Sequence, residues 1–181
     1  DDFDTAVHDM IKKLLRDHKH IIFNGNGYSD AWVEEAERRG LPNIRSMVDA
    51  IPALTTEKAV KLYESFGVFT RAELESRAEV EYEAYGKMIN IEARTMIDMA
   101  SKQIIPAVIK YTTQLAGSLG AVKAACPEAD TSVQAELLTE TSALLSDMKV
   151  ALAALIDITE EAACVDGVET QARVYHEKVV P

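Results

Sequence analysis

Cysteine is nearly absent: Cys126 and Cys164 stand alone, with no Cys-x-x-Cys spacing. Such a pair gives no metal-ligand pattern and suits buried or idle thiols in a reduced, cytoplasmic setting. Glycine (8) and proline (5) are scarce in 181 residues, so little interrupts regular structure, and aromatics make up 6%. No apolar run approaches the roughly 20 residues a membrane-spanning helix needs, and no signal-peptide pattern opens the chain. Positive charge is also short. The net charge is −11, and residues 128 to 169 hold ten acids against one base, Lys149. An acidic surface repels phosphate backbones and anionic lipid, which argues against nucleic-acid and membrane partners. A solvated acidic face accounts for it.

What remains is 48% hydrophobic and 27% charged, rich in Ala, Leu, Glu and Lys, a composition that tilts toward helix. The length suffices for one substantial domain burying about 70% of its unfolded surface. The chain opens Asp1-Asp2-Phe3 without Met and stops at Val179-Val180-Pro181 inside a helical pattern. It reads as a segment of a longer protein.

Hydrophobic spacing predicts a series of helices. Val7, Met10, Ile11, Leu14 and Leu15 fall at i, i+3, i+4, i+7 and i+8 within residues 5 to 19, with Asp4 or Thr5 able to cap the start. Ile21-Ile22-Phe23 reads as a short extended piece. Ser29 is placed to cap a helix over 30–39, with Gly40 at the left-handed position after it. Ser46 and Asp49 resemble a capping box for a short helix limited by Pro52. Thr55 or Thr56 caps a helix over 57–66 closed by Gly67. Thr70-x-x-Glu73 is a capping box, and behind it Leu74, Ala78, Tyr82, Tyr85, Ile89, Ala93, Met96, Ala100 and Ile104 recur every three or four residues, giving a helix of roughly 50 Å. Pro106 should kink it, and the pattern then runs on to Gly117 and Gly120. A second long helix from about Thr131 carries Leu137, Thr141, Leu144, Met148, Ala151, Leu155, Ile158 and Ala162, widened by Leu138, Leu145 and Leu152. Asp166-Gly167 breaks it, and a last helix begins at Val168. If both stripes are core, Met96→Ala or Leu144→Ala should cost roughly 2 to 5 kcal/mol. The fold expected is all-α, an antiparallel helical bundle with two long helices, preceded by shorter helices and a short extended segment.

Three groups of residues could carry chemistry. Asn24-Gly25-Asn26-Gly27 precedes a helix start, as a phosphate cradle would, but it has neither the lysine of a P-loop nor the third glycine of a dinucleotide fingerprint. As a turn using positive φ it needs no ligand, and that reading is preferred. His18 and His20 flank Lys19 near Asp17, without the paired Glu-x-x-His of a bundle metal site; His8 and His176 look isolated. Asn90, Arg94 and Asp98 step by four along the long helix, either as a polar or partner-binding stripe or as an ordinary Arg–Asp pair, the latter preferred. No nucleophile elbow, Ser-His-Asp order or supported carboxylate pair appears, so catalytic, cofactor-binding and metal residues are all expected to be none.

The strings HKHIIFNGNGYSDAWVEEAERRGLPN, EKAVKLYESFGVFTRAELESRAEVEYEAYGKMINIEARTMIDMA and QIIPAVIKY occur in one order. Together they closely resemble the C-terminal region of type III glutamine synthetases, strongly over residues 8 to 115 and, beyond that, in length and helical pattern. The resemblance implies a large cytoplasmic ligase that joins ammonia to glutamate with ATP and Mg or Mn, through a γ-glutamyl phosphate. It also implies stacked hexameric rings. The family's metal-binding glutamates and substrate-binding arginines lie upstream, in a β-rich catalytic domain, and no position here matches them. In that context residues 1–54 are short helices and a connecting turn at the end of the catalytic region. Residues 55–181 are a long-helix appendage, structural or oligomer-supporting and not catalytic alone, whose partners are the upstream domain and further copies. A stand-alone helical interaction module is the alternative.

Overall fold

In a computed structural model the described residues are 2–181; Asp1 lies outside them. The chain is 80% helical, with no strand among the described residues, as an all-α bundle requires. It divides into two compact units, Asp1–Ile44 and Arg45–Pro181.

The first unit holds α1 (Phe3–Asp17), a 3-10 turn (Lys19–Ile21) and α2 (Asp30–Arg38). Ile21 therefore belongs to a tight turn rather than to an extended piece, and Ile22 after it is extended. The residue at the N-cap of α1 is Asp2, with no side-chain cap bond, in place of the expected Asp4 or Thr5. No residue of α1 is buried, and Met10, Ile11, Leu14 and Leu15 face outward. Ser29 occupies the N-cap of α2 but does not cap it: its hydroxyl donates to Asn26 O at 2.7 Å instead. At the other end Gly40 takes φ +70°, while the Leu41 N–H reaches back to Ala36 O at 2.9 Å. That closes the helix as glycine at this position does.

The second unit begins with α3 (Met47–Ala50), which passes into a 3-10 turn (Ile51–Thr55), then α4 (Glu57–Ser65). The Ser46–Asp49 capping box does not form, and Ser46 Oγ has no hydrogen-bond partner among the described residues. Asp49 is a methylene shorter than the Glu of such a box, and its carboxylate faces Arg173 and His176 instead. The Thr70–Glu73 box does form. Thr70 Oγ1 accepts from the Glu73 N–H at 3.3 Å, and Glu73 Oε2 accepts from the Thr70 N–H at 2.8 Å.

Behind it runs α5 (Arg71–Met99), continued through a π-helical turn (Ala100–Ile104) into α6 (Ile105–Ala125), 55 residues in all. Proline brings no N–H, so Pro106 cannot serve the carbonyl a turn before it, and the wider π turn lies just ahead of it. The turn also rephases the packed face, which steps from Ala93 to Ile97 and Ala100, then by five to Ile105 and on to Val108. Ile104, expected in the stripe, is thereby turned outward. A short loop leads to α7 (Ser132–Ala163), antiparallel to the long helix. Gly167 at φ +85° breaks the chain, and α8 (Val168–Val174) with a final π turn (Tyr175–Val179) folds back on α5.

The core gathers at one end. Val48, Ile51, Ala78, Tyr82 and Ala172 form it where α3, α5 and α8 meet, with Tyr85 against them. Gly86 leaves room for the buried Tyr175 ring, which would lie 3.6 Å from an added Cβ. Gln171 Nε2 donates to the carbonyls of Ala162, Ala163 and Val165, which supplies partners for the otherwise orphaned end of α7. On α7 the buried side chains are Leu152, Thr159 and Ala162. Met96 and Leu144, expected as core, are 61% and 60% exposed. The reason is architectural. Over most of its length α7 has only the long helix as neighbour, so one flank of its wide apolar stripe is left uncovered.

Candidate functional site

Two seams open where the π turn crosses α7. One is an apolar groove of about 670 Å³, lined by Ile91, Met96, Met99 and Ile104 from the long helix and by Met148 and Leu155 from α7. Glu92 is the one charged side chain along it. Thioether chains fill irregular surfaces and repack readily, so three methionines make it adaptable toward a large apolar partner. The other seam, about 280 Å³, is polar and lined by Arg94, Asp98, Lys102, Thr159 and Glu160 among others.

Arg94 and Asp98 do not pair with one another as expected. Arg94 Nε donates to Asn90 Oδ1 at 3.0 Å, whereas Asp98 binds Lys102 one turn on. Each longer side chain reaches back four residues, toward the N-terminus, as helical side chains lean.

His176 is not isolated. Its Nδ1 lies 3.2 Å from the Tyr85 hydroxyl, and its Nε2 is 4.0 Å from Asp49 Oδ2, joining α5, α3 and the C-terminal π turn. Arg173 approaches the same aspartate at 3.9 Å and binds Glu169 at 3.0 Å. Burial pushes the Tyr85 hydroxyl above its usual pKa, helped by the negative charges of Asp49 and Glu92. Burial raises Tyr82 too, with Glu169 adding to it. These phenols therefore stay protonated, and the Tyr85–His176 contact ties α5 to the C-terminal turn. The signal available in the sequence was Tyr85 itself, a stripe residue whose hydroxyl needs a partner once buried; its partner lies 91 residues away.

The glycine loop folds as a turn. Asn26 Oδ1 accepts from the Tyr28 N–H at 3.0 Å, and Asn26 O accepts from the Ser29 N–H at 3.2 Å, the arrangement by which asparagine mimics a backbone turn. Positive φ is not used at either glycine, contrary to expectation; among the described residues it occurs at Gly40, Gly67 and Gly167 alone. Gly25 is required for a different reason. A Cβ there would sit 2.4 Å from Phe23 Cζ, and that ring stacks on Trp32 at 4.6 Å between centroids. His18 and His20 rings are 6.3 Å apart, both exposed.

Residues 6–123 match the family model described as "Glutamine synthetase C-terminal domain". The chain belongs to that family. Relatives extend the likeness over the rest of this C-terminal domain. A glutamine synthetase of Butyrivibrio fibrisolvens is 32% identical over 181 residues, which is 99% of this chain and 26% of the relative. One from Bacteroides fragilis (strain YCH46) is 30% identical over 182 residues, 98% of this chain and 25% of its own length. A type-3 glutamine synthetase of Dictyostelium discoideum is 37% identical over 118 residues, 65% of this chain and 16% of its own. The domain thus spans about a quarter or less of the relatives it matches. The matched stretch includes the glycine loop, the α3 and α5 side of the core end and nearly all of α6, while α8 and the α7 flank of the groove lie beyond it.

Proposed function

We propose that this chain is the C-terminal helical region of a type III glutamine synthetase and that its work is structural, supporting assembly of the enzyme rather than performing its chemistry. The full-length protein would ligate ammonia to glutamate with ATP and Mg or Mn, in the cytoplasm, on residues upstream of those described. The observation that carries this reading is the apolar groove between the long helix and α7, a surface suited to protein rather than to charged metabolites. Glutamate, ammonium and ATP–Mg need charged partners, and the groove has one charged side chain. The upstream domain and further copies in stacked rings are the proposed partners.

The test has two parts. The purified chain, given ATP, glutamate, ammonia and magnesium, should form no glutamine above a blank. The full-length enzyme lacking residues 45–181 should lose its assembly in sedimentation velocity. Turnover by the isolated chain would overturn the non-catalytic part, and intact rings without the region would overturn the assembly role.

A further inference from the structure

The end of the long-helix hairpin farthest from the core has no core of its own. Between Ser101 and Ala151 the only buried residue is Thr131. Not one residue of α6 is buried, although 21 residues of it carry only two charges, Lys110 and Lys123. Its partner is α7, and α3, α4 and α8 pack instead on the α5 half. Val108, Thr112, Leu115, Leu119 and Val122 half-bury one side of α6 against α7. Ile109, Tyr111, Val133, Leu137 and Leu144 are left exposed on the hairpin. A helix that is apolar nearly all round is normally enclosed by other elements. Two antiparallel helices with short connections are half of a four-helix bundle.

Two further features indicate what encloses it. The first is charge. The two charges of α6 are both positive, Lys123 held by the Pro127 and Ala129 carbonyls and Lys110 exposed, while residues 132–148 of α7 hold Glu136, Glu140 and Asp147 and no base. A two-fold axis relating two hairpins sets each basic α6 against the other copy's acidic α7, so the surface is complementary to itself as an isologous contact requires. The second is glycine. Gly117 and Gly120 lie inside α6, where each costs about 1 kcal/mol relative to alanine, yet a Cβ at either would meet nothing within 4 Å. The single chain gains nothing from them; a second helix backbone approaching closely would. Size agrees as well. Two helices of about 20 residues present a face roughly 30 Å by 20 Å, close, once side-chain relief is added, to the roughly 800 Å² per partner of a stable interface.

We infer that the α6–α7 hairpin pairs with the same hairpin of a second copy to complete a four-helix bundle, with Gly120, on the flank of α6 that carries Ile109, at the closest approach. This rests on the assembly-supporting reading above and names the surface that does it.

The 181-residue chain should sediment as a dimer that dissociates on dilution. Gly117→Leu with Gly120→Leu should weaken the pair by about tenfold or more, while the helical circular dichroism of the dilute chain stays the same or rises. Lys110→Glu and the double variant Glu136→Lys/Glu140→Lys should each weaken self-pairing, and a mixture of the two should associate more tightly than either alone. A chain that stays monomeric at every concentration, or glycine variants that leave dissociation unmoved, would overturn the inference. The same variants in the full-length enzyme separate the two readings. If they leave the assembly intact while removal of residues 45–181 disperses it, the pairing falls and the assembly role stands. If the removal leaves it intact as well, both fall.

Discussion

Leu152 and Leu144 lie eight residues apart on α7 and should respond very differently to the same change. Leu152 is 5% exposed against the long helix and Leu144 is 60% exposed. Truncating a buried leucine removes its transfer free energy and leaves a cavity, together about 2 to 5 kcal/mol. At Leu144 only two fifths of the side chain is covered. Full burial of a leucine is worth about 1.5 to 3 kcal/mol, so about 1 kcal/mol is at stake there, and an open face leaves no cavity behind. Leu152→Ala should therefore lower the urea midpoint clearly at an unchanged slope, and Leu144→Ala should move it slightly. Both are followed by circular dichroism at a dilution where the chain is a single copy. At higher concentration the Leu144→Ala deficit should grow if a second hairpin covers that flank. Equal shifts for the two variants in the dilute chain would refute the assignment of faces on α7.

Two further predictions follow from the first unit. Gly27→Ala should leave the melting of the first unit within about 0.5 kcal/mol, whereas Gly40→Ala, forced to φ +70°, should cost about 1 to 2 kcal/mol, and Gly25→Ala should displace the Phe23 ring and change Trp32 fluorescence. Hydrogen bonds from Arg38, then Arg39, hold the Glu35 carboxyl at about 2, below its ordinary 4.5. A depressed carboxylate stabilises above its unfolded value, so α2 should loosen as pH falls from 4.5 toward 2. Glu35→Gln should abolish that dependence in the Trp32 signal.

What could be read from the sequence was what is local. The Thr70–Glu73 box, the helix-closing roles of Gly40 and Gly67 and the break at Gly167 ahead of α8 depend on residues within a turn of one another, and all appear as expected. Ser29 and Ser46 carry the same cap signal and fail: Ser29 donates to the Asn26 carbonyl instead, and the Ser46 hydroxyl finds no partner among the described residues. The long stripes had the right period, but period alone does not say how much of a stripe is covered. Met96 and Leu144 are in the pattern and outside the core, since a hairpin has fewer neighbours than its stripes could bury. The groove and the Tyr85–His176–Asp49 link were invisible for a simpler reason. They join segments whose separation along the chain carries no signal: the return of α7 along the long helix makes the groove, and the return of α8 onto α5 makes the link.

The π turn at Ala100–Ile104 has a consequence for how this hairpin tolerates change. Advancing the packed face by five residues instead of four turns everything after it by about 100° relative to an uninterrupted α-helix. Deleting one residue there would leave a smoother helix, with a better hydrogen-bond ladder and every residue type still in place. It would also keep Val108, Leu115 and Leu119 on α7, because the step from Ala100 to Ile105 would shorten from five residues to the four of an α-helix. Those five residues act as a phase setting between two rigid rods: substitutions around them are local events and loss of one residue restores the α-helical step, whereas closing the turn at unchanged length would be felt some 30 Å away, at the tip of the hairpin.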